Sequence, residues 1–337
     1  GWVFLLLAAP VTGLLLFLFW GGHIAPKRQT LAEKPDIVPK DYELSRSEKY
    51  AARLSEGCHW GRLAGYLRKR GALLFKNTEA VYFSSGEALF EDILFHLERA
   101  ERFIFMEYFI LAEGRLWDRF AAILKQKARE GVEVKIIFDD FGSIARLSSR
   151  TVESLRSSGA EVAVFNPVHR HVSRLFFNYR DHRKILVIDG QRAYTGGANL
   201  GDEYVDLVKR FGHWKDTGVA LDGDGAWGLT TAFLHMWEEM GQEIRQEHDY
   251  YRPHEMKNSD GWCQIFLDGP DRNPDTPAAE VFLHAINGAK RSLCITTPYL
   301  SLEDSMLRAL CTAADGGVEV RLILPGIPDH KFTHIAA

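Results

Sequence analysis

The chain has 337 residues, 46% hydrophobic and 26% charged, the balance of a folded protein with room for two domains. A formal net charge of -4 and a pI near 6.4 argue against a dedicated nucleic-acid binder, which carries a basic excess. Cys58, Cys263, Cys294 and Cys311 form no CxxC pair and no zinc spacing with the thirteen histidines, so they read as reduced, packed thiols. No metal, other cofactor or oxidising compartment is called for.

In chain order, Trp2 to Trp20 carries no charge and has Trp at both ends, which predicts a transmembrane helix over residues 1–22. The run is too long for a cleaved signal peptide and lacks its small-residue cleavage site. Lys27, Arg28 and Lys34 follow it, which places the downstream residues in the cytoplasm. The chain opens on Gly1 instead of Met, so earlier residues are expected to precede it. Residues 23–75, with Pro26, Pro35 and Pro39, read as a juxtamembrane linker with a short helix at Ser45–Glu56.

From residue 76 the pattern is α/β. Strands are predicted at 81–83, 102–111, 132–140 and 161–165, with helices from Ser85 through Arg99, Leu116–Arg129 and Val152–Ser158 between them. The chain then repeats itself. RFIFMEYFIL (102–111), a helix and GVEVKIIFD (131–139) resemble RSLCITTPYL (291–300), a helix and GVEVRLILP (317–325).

In the first copy, 51 residues after Gly131, comes DHRKILVIDGQRAYTGGANLGDEY. His182, Lys184 and Asp189 make HxKx4D, and Gly196, Gly197 and Asn199 follow as GGxN. ILVID (185–189) predicts a strand, so His182 and Lys184 share a face if it extends back over them. AYTGG reads as its hairpin partner. The two glycines would let backbone N–H groups approach an anion, and Asn199 adds a side-chain donor. An imidazole, an ammonium and an amide converging on one spot describe a phosphate site. Arg170, Arg174, Arg180 and Arg183 lie among Phe176, Phe177 and Tyr179, a stretch suited to an anionic bilayer beside a membrane anchor.

The HxKx4D and GGxN run resembles the HKD motif of the phospholipase D superfamily. MEYFIL (106–111), NYRDHRKILVIDG with TGGANLGDEY (178–204), HWKDT (213–217) and TTPYL (296–300) resemble segments of bacterial cardiolipin synthases. The resemblance implies two pseudo-twofold α/β halves with the active site between them. The first half would span 76–250 and the second would begin at 251–337, after the transmembrane helix.

It also implies phosphatidyl transfer between two phosphatidylglycerols through a phosphohistidine, with release of glycerol. His182 would be the nucleophile, and Asp216 would receive its Nδ1 proton. Lys184 and Asn199 would neutralise the phosphate oxygens, while Asp189 would brace the loop carrying His182 and Lys184. Arg180 and Glu107 are further candidates beside the substrate. The implied partners are phosphatidylglycerol, other anionic phospholipids and the bilayer, with a homo-oligomer as an option and no nucleic acid. The implied location is the bacterial inner membrane, catalytic domain facing the cytoplasm.

The rivals are hydrolysis, as a phospholipase D or phosphodiesterase, and a catalytically incomplete lipid-binding module. No HxKx4D occurs in 256–337, and His330-Lys331 lacks the spacing. The first copy's interval, counted from Gly317, places the partner motif beyond Ala337, so the chain reads as cut before it.

Overall fold

Seven runs rich in β-branched and aromatic residues pair into one sheet. They are β1 (Thr78–Phe83), β2 (Phe103–Tyr108), β3 (Glu133–Asp139), β4 (Glu161–Phe165), β5 (Lys184–Ile188), β6 (Arg192–Gly196) and β7 (Gly218–Gly223). Their order across the sheet is β1-β7-β6-β5-β2-β3-β4. β2, β3 and β4 run parallel, while β5, β6, β7 and β1 alternate antiparallel from the free side of β2.

These elements belong to the computed structural model of the protein, which describes residues 6–7, 9–17, 39–57, 60–168, 179–209, 212–268 and 277–327. β2 is the central strand, and all six of its residues are buried. This explains why FIFMEY reads as a continuous run and not as an alternation.

The parallel part is a β-α-β-α-β winding. Helix α1 (Gly86–Leu97) leads into β2, with Ser85 capping its first turn by accepting from the Ala88 N–H. Helix α2 (Arg115–Arg129) connects β2 to β3. A four-residue helix α3 (Asp140–Ser143) and then α4 (Ser149–Arg156) connect β3 to β4. Helices α1 and α2 pack through Phe90 and Phe120, 5.8 Å apart edge to face. Helix α5 (Ala226–Glu239) lays Phe233 flat on Phe105 of β2 at 4.6 Å, with Trp237 stacked behind it.

The residues divide into two compact units. The first is Gly1–Lys40, Phe75–Val208 and Lys215–Cys263, and holds the sheet. The second is Asp41–Leu74, Lys209–Trp214 and Gln264–Ala337. Within the second, α6 (Pro277–Gly288) precedes β8 (Ser292–Thr296), α7 (Asp304–Asp315) and β9 (Glu319–Ile323). β8 and β9 are parallel, with Ser292 opposite Glu319, and in the first unit Phe103 stands opposite Glu133. These are matching positions of the two GVEV copies, so the repeat extends to strand register.

Part of the span read as a linker is helical, at Asp41–Gly57 and Gly61–Lys69, and the helix expected at Ser45–Glu56 is the middle of the first of these. Of the span expected to cross a membrane, Pro10–Leu16 is helical, while residues 1–5, 8 and 18–38 lie outside the described residues. Among the described residues no helix is long and apolar enough to cross a membrane.

Candidate active site

β5 begins at Lys184, opposite Tyr108, so the residues leading into it run beside the chain leaving β2. His182 lies just ahead of the strand, and its ring packs on Phe109 at 4.7 Å, tilted by 45°. The Lys184 ammonium sits 3.0 Å from His182 Nδ1, donates to the His182 carbonyl at 2.7 Å and lies over the Phe109 ring at 5.5 Å. Burial, aided by the Lys184 charge, pushes the His182 imidazolium down to about 4, so the ring is neutral near pH 7. Burial lowers Lys184 to about 8, against the opposing pull of Asp181 and Asp216. A neutral imidazole beside a desolvated ammonium has the chemistry to act as a nucleophile next to an anion-binding group.

An ammonium can only donate, so Nδ1 of His182 accepts in this arrangement and the ring proton belongs on Nε2. In this arrangement the group at Nδ1 is the Lys184 ammonium. Asp216 instead accepts from the Thr217 N–H at 2.8 Å and acts electrostatically on Lys184.

The residues flanking His182 are held by buried carboxyl groups. Asp139, at the end of β3, accepts from the Asp181 N–H at 3.1 Å and from Gly142 N–H at 3.2 Å. Asp181 in turn accepts from Arg183, from its N–H at 3.2 Å and its Nε at 2.9 Å. Arg183 Nε also lies 2.7 Å from Glu107 Oε1, in ion-pair contact but off the hydrogen-bonding direction. Glu107 is thus fully buried in β2, behind the site and away from solvent. Arg180 donates to Asn166 O at 3.1 Å, pairs with Asp139 at 3.4 Å and stands over the Phe141 ring at 5.1 Å. Residues 169–178, most of the basic-aromatic stretch, lie outside the described residues.

The GGxN run does something other than expected. Gly197 donates its N–H to Thr217 O at 3.1 Å, and Gly196 pairs with Gly218 of β7. A Cβ on Gly197 would collide with Asp216 Oδ1, and one on Gly196 with Thr217 O. The glycines therefore let the segment leading into β7, which carries Asp216, come close. Asn199 is buried, accepting from the Ile110 N–H at 3.0 Å and donating to the Tyr204 hydroxyl at 3.1 Å. It ties the GGxN loop to the chain leaving β2.

Asp189 is a structural brace, but of a different segment from the loop carrying His182 and Lys184. It ends β5 at the opposite end from Lys184, roughly 20 Å of extended chain from His182. Its carboxylate accepts from the N–H groups of Glu101, Arg102 and Phe103 at 3.0, 2.7 and 2.9 Å, so it braces the entry to β2. Sequence reasoning passed over Phe109, Asp139 and Asp181. Phe109 stood within MEYFIL and Asp181 beside His182, and their residue types alone predicted no role.

A sheet that brings a histidine, a lysine and an acidic frame together at the mouth of the HKD strand defines a phospholipase D-like protein. The family model described as "Cardiolipin synthase, PLD-like domain" matches residues 93–209 and 282–337, one segment in each repeat. The chain is 33% identical over 341 residues to cardiolipin synthase 2 of Bacillus anthracis, covering 100% of this chain and 66% of that protein. It is 37% identical over 343 residues to an uncharacterized protein of Streptococcus mutans serotype c, covering 98% and 72%. The chain thus spans about two thirds of the length of the cardiolipin synthases it matches. The crystal structure of phosphatidylserine synthase from Haemophilus influenzae Rd KW20 shares the fold at TM-score 0.52 and 13% identity, over 75% of this chain and 63% of that one. The chain belongs to the cardiolipin synthase family of phospholipase D-like proteins.

Proposed function

We propose that this protein transfers a phosphatidyl group between two phosphatidylglycerol molecules, forming cardiolipin and releasing glycerol, with His182 as the covalent carrier. The observation that carries this reading is the neutral, solvent-accessible imidazole of His182 held between the Phe109 ring and the Lys184 ammonium. Nε2 attacks phosphorus, a P–N bond forms and the P–O bond to glycerol breaks. The departing alkoxide takes a proton from the general acid that the family places in its second HKD motif. The hydroxyl of a second phosphatidylglycerol then attacks the phosphohistidine, giving its proton to the now deprotonated general acid as the new P–O bond forms and the P–N bond breaks.

For Nε2 to attack, the ring proton must reside on Nδ1. Lys184 therefore turns from Nδ1 to a phosphate oxygen, where its charge meets the developing negative charge. Asp216, already acting on Lys184, is then the carboxylate available for the Nδ1 proton. The apolar span Trp2–Trp20 anchors the site at the cytoplasmic face of the inner membrane, where headgroups supply both donor and acceptor.

The test is turnover of labelled phosphatidylglycerol in mixed micelles, with an acid quench to trap the phosphoenzyme. Cardiolipin and glycerol in equal amounts, and label on a histidine that His182→Ala removes, are expected. Phosphatidic acid as the sole product at every lipid density would replace transfer with hydrolysis.

A further inference from the structure

Two buried groups beside His182 have no part in the reaction as written. Glu107 is fully buried on β2, opposite Ile185 of β5. Neither of its oxygens receives a hydrogen bond in the fold, and neither does Asp181 Oδ2. Glu107 Oε1 has the Arg183 charge against it, but Glu107 Oε2 and Asp181 Oδ2 have no such partner, and each such orphan costs about 1–3 kcal/mol, so two in one place require a physical reason. The two carboxyl groups lie within hydrogen-bonding reach of each other, with Arg183 against both, at 2.7 Å from Glu107 and 2.9 Å from Asp181. Two carboxylates this close and this dry cannot both be ionised beside a single guanidinium. One proton shared between them turns an orphaned contact into a hydrogen bond and leaves Asp181, Glu107 and Arg183 together uncharged.

We propose that Glu107 is a positioning residue that, in its neutral form, donates a hydrogen bond to Asp181 and thereby fixes both residues flanking His182. This rests on His182 being the nucleophile of the proposed transfer. Asp181 is the pivot, because its carboxylate holds the Arg183 N–H and guanidinium while its own N–H is held by Asp139. Burial, which outweighs the opposing Arg183 charge, holds the Glu107 carboxyl well above the usual carboxylate range.

Asp139 pairs with Arg180 from the end of β3, while Lys184 from β5 and Asp216 ahead of β7 lie on the His182 side. With Glu107 neutral, the backing of His182 carries no net charge. With Glu107 ionised, an extra negative charge would favour the imidazolium and repel the phosphodiester oxygens.

Infrared difference spectra of wild type against Glu107→Gln test the proton directly. A protonated buried carboxyl band at neutral pH, absent from Glu107→Gln, is expected. The band is also expected to disappear in Asp181→Asn, whose amide can donate to an ionised Glu107. Histidine-labelled NMR, with His182→Gln to assign the signal, should show the His182 titration preserved in Glu107→Gln and moved upward in Glu107→Ala. In transfer assays, Glu107→Ala should lose about 10²-fold in kcat with little change in KM, and Glu107→Gln should recover most of it.

A wild-type spectrum without that band, or a Glu107→Gln protein as impaired as Glu107→Ala, overturns the inference. If Glu107→Ala does not fold, Asp181→Asn and Glu107→Gln still decide it. Expected spectra with no phosphatidyl transfer by the wild type would instead sink the proposed function and leave this arrangement standing.

Discussion

Asp189 gives the clearest separation of folding from chemistry. Its carboxylate receives three backbone N–H groups, two on Oδ1 from Arg102 and Phe103 and one on Oδ2 from Glu101. Its backbone sits at φ 54°, left-handed space that Asp and Asn tolerate and Ala does not. Asp189→Asn keeps one oxygen for Arg102 and Phe103 but turns a donor toward the Glu101 N–H, at a cost of about 1–2 kcal/mol. Asp189→Ala leaves all three unmet. Water can recover the Glu101 and Arg102 groups, Phe103 is fully buried, and the strained φ adds about 1 kcal/mol, for a total of about 3–5 kcal/mol.

With about 2–4 °C of melting temperature per kcal/mol, Asn should lower Tm by a few degrees and Ala by about 10 °C or more. Asp189→Gly, free of the φ penalty, should fall between them. Urea midpoints and transfer rates are measured on the same preparations, the rates well below each Tm. Stability should fall in the order Asn, Gly, Ala while kcat per folded molecule stays near wild type. An Asp189→Asn protein that melts normally yet transfers nothing would refute the reasoning and return Asp189 to the chemistry.

The pH profile of kcat/KM should have an acid limb near about 4, as His182 protonates, and an alkaline limb near about 8, as Lys184 loses its proton. Lys184→Arg should remove the alkaline limb. Because His182 is depressed below its unfolded value, the unfolded chain binds a proton that the fold refuses, so this group's contribution to stability rises with pH from about 4 to 6.5. Urea midpoints of wild type and His182→Gln across that window measure it, and parallel curves would contradict the sign. Gly197→Ala should push Asp216 away and cut transfer about 10²-fold with a modest loss of stability. Asn199→Ala should cost about 1–3 kcal/mol, since the part-buried Ile110 N–H loses its acceptor and the Tyr204 hydroxyl loses the Asn199 amide, and urea melts check it.

Much of this was legible in one dimension. Strand and helix order from Ser85 to Phe165 follows from hydrophobic period and turn residues, which act over a few neighbours and so survive in the linear string. The repeat was visible for the same reason, as GVEV stands at the same register position in β3 and β9. His182 and Lys184 were recognisable because they lie two residues apart at the mouth of one strand.

What each remaining polar group does was decided only by the partners that tertiary structure brought to it. Asn199 and Asp189 carry the residue types of a phosphate site, yet one is turned inward to Ile110 and Tyr204 and the other to Phe103. Glu107 is separated from Asp181 by seventy-four positions in the chain and meets it only because β2 and β5 are neighbours in the sheet. The electrostatics of a buried group depend on distance and on exclusion of water, and both are set by packing between segments far apart in sequence.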